Sequence, residues 1–421
     1  MRAVVDRLAP VAETLAVARS LRERYGITRI AETTRLDRIG IPTFSAIVPG
    51  SPDKLGVYNG KGLTRDAATA GALMEAIERQ VCARFESMHV FGVPVRKVDG
   101  AIDVRACGWL GAIDGDVECV RGVNLIDGAE IAVPVGLVRC PRVGERRFER
   151  TTSNGLASGN TASEATYHAL MELIERHLWS TVHILAHVWP RALRSRASVE
   201  IEQPDDQVAS EVIDAGEHPS LAGLIRCIRD AGLSVRLLSY AKPEWPVAMM
   251  ACVADPAVHE LFYHLGFGCS WSPVHAAVRA ILEAVQARAT DVQGAREDIK
   301  LSADGEARPL DHGRRPSGFP EGGRWYFDGP ARKSTLVELA GSSAPDVARD
   351  LGATVSVLRD SGQTCVAYVD LTPPGLPVSV VRVVAPHLER TLVDGSISQR
   401  MQTFLKNPLS FDCGASRLRS G

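Results

Sequence analysis

The sequence lacks the features that mark several special classes of protein. It has no run approaching the roughly 18 consecutive apolar residues that a membrane helix needs. Glycine and proline occur in ordinary amounts, which excludes collagen-like and low-complexity chains. It also lacks an excess of charge, because 48 basic residues stand against 50 acidic ones. A balanced chain has no field that attracts nucleic acid or an anionic membrane, so we expect neither partner.

Paired cysteines are also absent. The nine cysteines are odd in number and widely scattered, and they form no Cys-x-x-Cys pair and no cluster with histidine. This pattern predicts reduced and mostly buried thiols. Near the N-terminus a helix-like stretch carries charges such as Glu13 and Arg19, so it lacks the apolar core of a signal peptide. We expect a cytoplasmic protein whose 45% hydrophobic residues fill a sizeable core.

What the 421-residue chain does contain is an internal repeat. A shift of 97 positions aligns Gly62–Arg79 with Gly159–Arg176, and 11 of these 18 positions are identical. A further shift of 111 positions aligns the second copy with a third, in which Gln286 stands at the position of Glu175. The repetition predicts three related helices.

Each copy carries its own helix start signal. These signals are Thr64 in the first copy, Thr161 followed by Glu164 as a capping box in the second, and Ser272 followed by Pro273 in the third. Other runs predict a mixed fold. Strands are expected at 90–95, 131–138, 234–240, 247–253, 365–370 and 378–384, and further helices at 211–215, 221–231 and 346–351.

The first two helices each carry a pair of glutamates three residues apart, Glu75 with Glu78 and Glu172 with Glu175. That spacing puts both carboxylates on one helical face, which Glu164 shares in the second helix. Like charges repel there unless something positive is present. Three explanations are open: a solvated surface, a structural ion network with nearby arginines, and a site for a divalent cation and a polyphosphate. Repetition of the register argues against the first.

A glycine-rich turn, Ser153–Thr161, opens the second helix and is suited to receive an anion on its backbone N–H groups. It is neither a Walker loop nor the dinucleotide fingerprint. We expect a mixed α/β fold in one large domain over 1–421. Its motif-bearing core spans about 58–298, a long mobile loop or lid spans 302–330, and an α/β portion spans 331–421.

Taken together, these motifs resemble the YcaO family. They run in the family's order as Asn59-Gly-Lys-Gly62 with Glu75-x-x-Glu78-Arg79, then Ser153-Asn-Gly155 through Gly159-Asn-Thr-x-x-Glu164 to Glu172-x-x-Glu175-Arg176, then Arg279-Ala-x-x-Glu283-Ala-x-Gln286-x-Arg288. The resemblance implies a YcaO-like domain in which three Glu-bearing helices and mixed sheets surround an ATP site. It implies an enzyme, expected as a homodimer, that uses ATP and Mg²⁺ to phosphorylate the oxygen of a peptide amide.

The resemblance also implies roles for single residues. The carboxylates that would hold Mg²⁺ on the ATP phosphates are Glu75, Glu78, Glu164, Glu172, Glu175 and Glu283, and the nucleotide contacts would be Asn160, Arg176 and Arg279. Lys61 is either a further phosphate contact or a solvent-exposed loop lysine. Gly71 replaces the serine that usually begins the family's first motif, so one hydroxyl contact is expected to be lost. We leave His168 and His275 out of the site, and no covalent nucleophile stands out.

The subgroup is indicated by two N-terminal runs, Gly26-Ile-Thr-Arg-Ile-Ala and Leu36-Asp-Arg-Ile-Gly-Ile-Pro42. They look like YcaO proteins that work with a TfuA partner and are associated with thioamide formation. The end of the chain lacks the Pro-x-Pro-x-Pro motif of many azoline-forming members, and no segment before about residue 20 offers a fused leader-recognition domain. We expect a peptide thioamide made with sulfide from a TfuA-like partner. An azoline-forming cyclodehydratase and a non-catalytic nucleotide- or peptide-binding scaffold remain as alternatives.

Overall fold

The computed structural model describes residues 7–53, 56–85, 90–141, 147–148, 152–188, 209–242, 244–256, 263–294, 326, 329, 331–339, 346–390 and 401–402. Its helices are α1 Val11–Ser20, α2 Arg65–Ala83, α3 Val95–Asp99, α4 Val135–Val138, α5 Ala162–His183, α6 Pro219–Asp230, α7 Pro273–Gly294 and α8 Val347–Asp360. A π-helical turn at Ile184–Val188 continues α5, and 3₁₀ turns lie at Thr34–Leu36 and Ala215–Glu217.

The strands form three sheets among the described residues. They are β1 Arg29–Glu32, β2 Thr43–Ile47, β3 Val57–Lys61, β4 Phe91–Pro94, β5 Asp116–Asn124, β6 Glu130–Pro134, β7 Leu156–Gly159, β8 Ser210–Val212, β9 Ser234–Tyr240, β10 Val247–Ala254, β11 Tyr263–Ser270, β12 Arg332–Ser334, β13 Ala367–Asp370 and β14 Ser379–Val384.

The sheets have the orders β1-β2-β3, then β4-β5-β13-β14-β7 with β6 also paired to β5, then β11-β10-β9-β8-β12. The pairings are antiparallel except that of β12 with β8. This is the mixed α/β fold in a single large domain that the sequence predicts.

Each repeated helix follows a strand from a different sheet: β3 precedes α2, β7 precedes α5, and β11 precedes α7. A strand glycine lies against the helix backbone in each case. A Cβ atom at Gly60 would lie 2.0 Å from the carbonyl oxygen of Ala68, and one at Gly159 or Gly266 would come within 2.6 Å of the following helix. The repeat is therefore a strand–helix unit whose two parts approach closely because glycine has no side chain.

The predicted start signals cap all three helices. The hydroxyl accepts the backbone N–H of the residue three positions on, at 3.1 Å for Thr64, 3.2 Å for Thr161 and 3.5 Å for Ser272. The reciprocal half of the capping box expected at Glu164 is not formed, because this carboxylate binds the N-terminal segment of the chain instead.

The apolar faces of the repeated helices are buried in separate parts of the core. Leu73 and Ile77 of α2 pack with the first sheet and α1, whereas Leu170 and Ile174 of α5 pack with strands of the second and third sheets. All four side chains are fully buried. Burial of such a side chain contributes about 1.5–3 kcal/mol, so these faces fix the rotation of each helix about its axis.

Most of the other sequence predictions agree with the structure. Strands expected at 90–95, 234–240, 247–253, 365–370 and 378–384 are confirmed within two residues, and helices expected at 221–231 and 346–351 are α6 and α8. Only the first part of 131–138 is a strand, because α4 begins after Pro134. The helix expected at 211–215 is wrong. Ser210–Val212 pairs with β9 and β12, and these sheet contacts prevail over a weak local helix preference.

The eight cysteines that the structure describes form no disulfide, and seven are buried, as predicted. Cys227 on α6 is the exposed exception. Cys413 and, apart from Tyr326 and Gly329, the loop expected at 302–330 lie outside the described residues. No helix in the described part of the chain has both the length and the hydropathy needed to cross a membrane.

Candidate nucleotide and metal site

A cavity of about 840 Å³ lies between the N-terminal segment, β3, α2, the start of α5, and α7. Six of the predicted site residues line it: Lys61, Glu75, Asn160, Glu164, Arg279 and Glu283. Gly71 lines it too. A Cβ atom there would meet nothing closer than 3.5 Å, so the cavity has room for the side chain that this position lacks.

Five carboxylates from the three repeated helices form one electrostatic group, which we call the acidic cluster. Its members are Glu75, Glu78, Glu172, Glu175 and Glu283. The charge on Glu172 raises the pKa of both acids of α2, and the charge on Glu283 raises the pKa of both acids of α5. The structure thus brings together acids that are more than 200 positions apart in the sequence.

The two acids of α2 resist ionisation. Burial is the main cause that raises the pKa of Glu75 to about 7 and that of Glu78 to about 8, and repulsion by neighbouring acids adds to it. Lys61 and Arg79 act in the opposite direction on Glu75, and a hydrogen bond with Ser158 does so on Glu78. At neutral pH Glu78 is mostly protonated unless a cation approaches.

The acids of α5 lie beside guanidinium and amide donors. Burial raises the pKa of Glu172, and it raises the pKa of Glu175 to about 7. Arg176 opposes both shifts, and its Nη2 is 3.4 Å from Oε1 of Glu175. The backbone N–H of Gly155, in the glycine-rich turn, donates to Oε2 of Glu172 at 3.4 Å. Arg382 on β14 also lowers the pKa of Glu172.

The acid of α7 behaves differently. Burial by itself raises the pKa of Glu283, but Lys61 and Arg176 outweigh it and hold this pKa at about 2. Nζ of Lys61 is 2.6 Å from Oε2 of Glu283, and Nη2 of Arg176 is 3.5 Å from Oε1. Arg279 acts in the same direction. Lys61 is therefore part of the cluster's surroundings and not a solvent-exposed loop lysine.

The basic residues that face the cluster are fewer than its carboxylates. The guanidinium of Arg79 is bound to Asp53, with Nε and Nη2 at 3.1 and 2.7 Å from the two carboxylate oxygens. Lys61, Arg176, Arg279 and Arg382 then provide four positive charges against five carboxylates. Burial is the main cause of the raised pKa values near 7 at Glu75 and Glu175 and near 8 at Glu78, and repulsion among the acids adds to it. Such a group attracts a divalent cation.

The donor set fits Mg²⁺. Carboxylate oxygens are its preferred protein ligands, and it commonly takes one or two of them while water and substrate phosphates complete its shell. Within the described ranges, no three acidic, histidine or cysteine side chains converge into a ready-made metal cage. Carboxylate pairs beside this cavity do not require such a cage, because the phosphate oxygens of a bound nucleotide would supply the remaining ligands of the ion.

Glu164 stands apart from the acidic cluster. Its carboxylate is fully buried and accepts hydrogen bonds from Nη1 of Arg7 at 3.0 Å, from the backbone N–H of Leu8 at 3.1 Å, and from Nδ2 of Asn160 at 3.1 Å to each oxygen. Oδ1 of Asn160 in turn accepts a hydrogen bond from Thr14 at 2.9 Å. Two predicted ligand contacts are thus engaged with the N-terminal segment.

Sequence reasoning missed several residues of the cavity wall. The N-terminal segment carried no signal, because it lies outside the repeats. His275, which we left out of the predicted site, lines the cavity at the position equivalent to Glu164, and that equivalence was a usable signal. Nε2 of Gln286 donates to the backbone oxygen of Asn59 at 3.0 Å, so this amide ties α7 to β3. His168 packs in the interior against Tyr167, as expected for a residue outside the site.

The chain matches a known family over most of its length. Residues 59–389 match the model described as YcaO cyclodehydratase, ATP- and Mg²⁺-binding. The matched span contains the whole acidic cluster together with Lys61, Asn160, Glu164, Arg176 and Arg279. The N-terminal segment that contacts Glu164 precedes it.

The chain is also similar to curated proteins and to a solved structure. An uncharacterized protein of Methanothermobacter thermautotrophicus is 34% identical over 390 residues, which cover 91% of this chain and 94% of that protein. An uncharacterized protein in the tfuA 3′ region of Rhizobium leguminosarum bv. trifolii is 30% identical over 420 residues, covering 91% and 89%. YcaO from Methanopyrus kandleri, bound with AMPPCP and Mg²⁺, has a TM-score of 0.66 and 23% identity, covering 94% of this chain and 96% of that one. At that identity the likeness shows the fold.

Proposed function

The chain belongs to the YcaO family, and from that premise we propose that it uses ATP to activate the carbonyl oxygen of a peptide backbone amide. ATP and Mg²⁺ are the cofactors, as the family description states. The observation that carries the proposal is the acidic cluster, in which five carboxylates from three helices share one electrostatic environment beside a cavity of about 840 Å³.

We place the nucleotide in this cavity. Lys61, Arg176 and Arg279 would bind phosphate oxygens, because guanidinium and ammonium groups form strong charge-assisted hydrogen bonds with them. Asn160 would contact the nucleotide from the start of α5. The acidic cluster and Glu164 would hold Mg²⁺, which neutralises phosphate charge as it develops during transfer.

The reaction has to turn the amide oxygen into a leaving group. A nucleophile adds to the carbonyl carbon, the oxygen takes the γ-phosphoryl group of ATP, and ADP departs. Release of phosphate then breaks the carbon–oxygen bond while the nucleophile keeps its bond to carbon. The chain's basic residues would hold the transferred group in line, and the thiols that border the repeated helices, Cys82 and Cys269, would take no covalent part. Burial raises the pKa of Cys82 to about 11, and that of Cys269 well above its usual value, so both stay protonated.

We propose that the nucleophile is sulfide supplied by a TfuA-like partner, so that loss of phosphate and of the sulfur-bound proton leaves a thioamide. The N-terminal resemblance at 26–42 supports this, as does the relative whose name places it in the tfuA 3′ region. We further propose that the protein works as a homodimer in the cytoplasm.

A second candidate is an azoline-forming cyclodehydratase, and the family description favours it by naming that activity. There the nucleophile would be a cysteine, serine or threonine side chain of the substrate peptide. A non-catalytic scaffold is opposed by the complete set of six glutamates.

The first test is calorimetric titration with AMPPCP, with and without Mg²⁺. We expect Mg²⁺-dependent binding that Glu172→Gln loses while its thermal unfolding stays close to that of the parent, since the two side chains have nearly the same shape. The control is Glu211→Gln, because Glu211 pairs with Arg236 on the third sheet, away from the cavity. Absence of binding by the folded parent protein would refute the proposal.

The product distinguishes the two reactions. Peptide incubated with the protein, ATP, Mg²⁺ and sulfide should gain mass as sulfur replaces oxygen if a thioamide forms, and should lose the mass of water if an azoline forms. Binding of AMPPCP without ATP turnover toward any added peptide, with sulfide and partner present, would favour the scaffold.

A further inference from the structure

The N-terminal segment closes one side of the nucleotide cavity. Arg7, Ala9, Val11 and Thr14 all line it. We call residues 7–10 the strap; they lead directly into α1, which is anchored to the core through buried side chains such as Leu15. The strap therefore has a fixed end at α1, and Arg7 contacts Glu164 and, more weakly, the backbone oxygen of Ser158 at 3.5 Å.

The two side chains that meet in the contact between the strap and Glu164 differ in their exposure to solvent. The Glu164 side chain is 0% exposed, whereas that of Arg7 is 40% exposed. A buried carboxylate has to be compensated by donors or by a cation, but a half-exposed arginine loses little when it returns to water. The partner that can leave is therefore Arg7, provided that another positive charge takes its place at Glu164.

A second contact of the same segment falls on another proposed ligand residue. Thr14 donates to Oδ1 of Asn160 at 2.9 Å, and Nδ2 of Asn160 is directed to Glu164. The strap region thus engages two residues to which the proposed function gives a role with Mg²⁺ and nucleotide. Both oxygens of Glu164 accept hydrogen bonds from the strap and from Asn160.

We propose that the strap and Mg²⁺ compete for Glu164. Without the cation, the guanidinium of Arg7 and the N–H of Leu8 occupy the carboxylate and hold the strap closed against the cavity. Binding of Mg²⁺ with nucleotide takes over Glu164 and releases the strap, so that filling of the site is coupled to opening of the N-terminal segment. This rests on the proposed function, because it takes the cavity to be the Mg²⁺–nucleotide site.

The variant Arg7→Gln tests the competition, since it removes the charge that stands in for the cation. At fixed AMPPCP, the Mg²⁺ concentration that gives half-maximal binding should fall about tenfold if the strap is closed in about nine molecules of ten. The matched control is Arg19→Gln, which removes the same charge from an exposed position on α1. An unchanged Mg²⁺ requirement in Arg7→Gln would overturn the proposal, and so would a higher one, which would show that Arg7 assists the ligand.

Hydrogen exchange at the Leu8 amide gives a readout that is independent of binding energy. In the ligand-free protein this amide should be protected, and Glu164→Gln should speed its exchange because half of the accepting carboxylate becomes a donor. Addition of Mg²⁺ and AMPPCP to the parent protein should also speed it. Slower exchange at Leu8 on loading would mean that the strap closes further, against the proposal.

The two proposals can fail separately. Failure of the folded parent protein to bind AMPPCP with Mg²⁺ would refute the nucleotide site. The strap would then be judged on the Leu8 amide with Mg²⁺ alone, and unchanged exchange there and in Glu164→Gln would refute it as well.

Discussion

At the level of single residues, Glu78 and Glu283 mark the extremes of the acidic cluster. They have the same side chain and lie in the same group of charges, yet the pKa is raised to about 8 in one and lowered to about 2 in the other. Both are desolvated, but Lys61 at 2.6 Å and Arg176 lower the pKa of Glu283, whereas Glu75 and Glu172 raise that of Glu78. The sequence predicted both as metal ligands and gave no means to tell them apart.

These shifts make stability depend on pH. Folded Glu78 keeps its proton up to about pH 8, whereas an unfolded glutamate loses it near pH 4.5, so the folded state binds more protons in this interval and the free energy of unfolding falls as pH rises. Glu75 lowers the free energy of unfolding in the same way as the pH rises to about 7. Calorimetry without ligand should show the midpoint temperature of unfolding declining from about pH 5 to about pH 8. The free energy of unfolding should fall by at most about 1.4 kcal/mol per pH unit for each group.

Glu78→Gln should flatten this decline, because it removes the group with the largest proton affinity. Mg²⁺ with AMPPCP should raise the midpoint most at the alkaline end, where the carboxylates are ionised and ready to bind a cation. A midpoint of the ligand-free parent protein that increases toward pH 8 would contradict the raised pKa values. Glu283, with its lowered pKa, contributes stability above pH 4.5 that is lost only as the pH falls toward 2.

At the level of elements, the close approach of β3 to α2 explains why position 60 holds glycine. Gly60→Ala should destabilise the protein by about 2–3 kcal/mol, because the new Cβ would lie 2.0 Å from the oxygen of Ala68 and 2.2 Å from the nitrogen of Ala72, and β3 would have to move away from α2. Urea unfolding measures the loss. Gly71→Ala is the matched control. Its Cβ meets nothing closer than 3.5 Å and it lies within α2, so it should be neutral or stabilising. Equal effects of the two variants would show that the close approach is not what requires Gly60.

The sequence predicted the three helices well and the strands before them poorly. Helical periodicity and threonine or serine caps are local signals, and the structure confirms both. The strands β3 and β7 are short and contain glycine, and they have few β-branched residues, so local preference alone does not indicate them. They are strands because neighbouring chains pair with them: β3 with β2, and β7 with β14.

At the level of the whole molecule, the three helices that carry the acidic cluster each follow a strand of a different sheet. A ligand that binds these acids should therefore stabilise α2, α5 and α7 together. Saturation with AMPPCP and Mg²⁺ at about 100 times the dissociation constant should add about 2.7 kcal/mol to the free energy of unfolding. Hydrogen exchange should slow in these three helices and change little in α6 and α8. Glu172→Gln should abolish both effects, and protection confined to one helix would contradict a shared site.

The sequence by itself determined the three helices, the face on which each carries its acids and the family resemblance. These follow from spacing and repetition, which are properties of the chain order. Only the tertiary structure decided which of these carboxylates are compensated, because charge compensation depends on groups brought together across long separations. Lys61, at the end of β3, contacts Glu283 on α7, and the guanidinium of Arg79 pairs with Asp53. The N-terminal segment contacts Glu164, which lies more than 150 positions away in the sequence. Desolvation and Coulomb interaction act through space. A glutamate side chain is therefore neutral, ionised or hydrogen-bonded to another segment according to the groups that the fold places beside it.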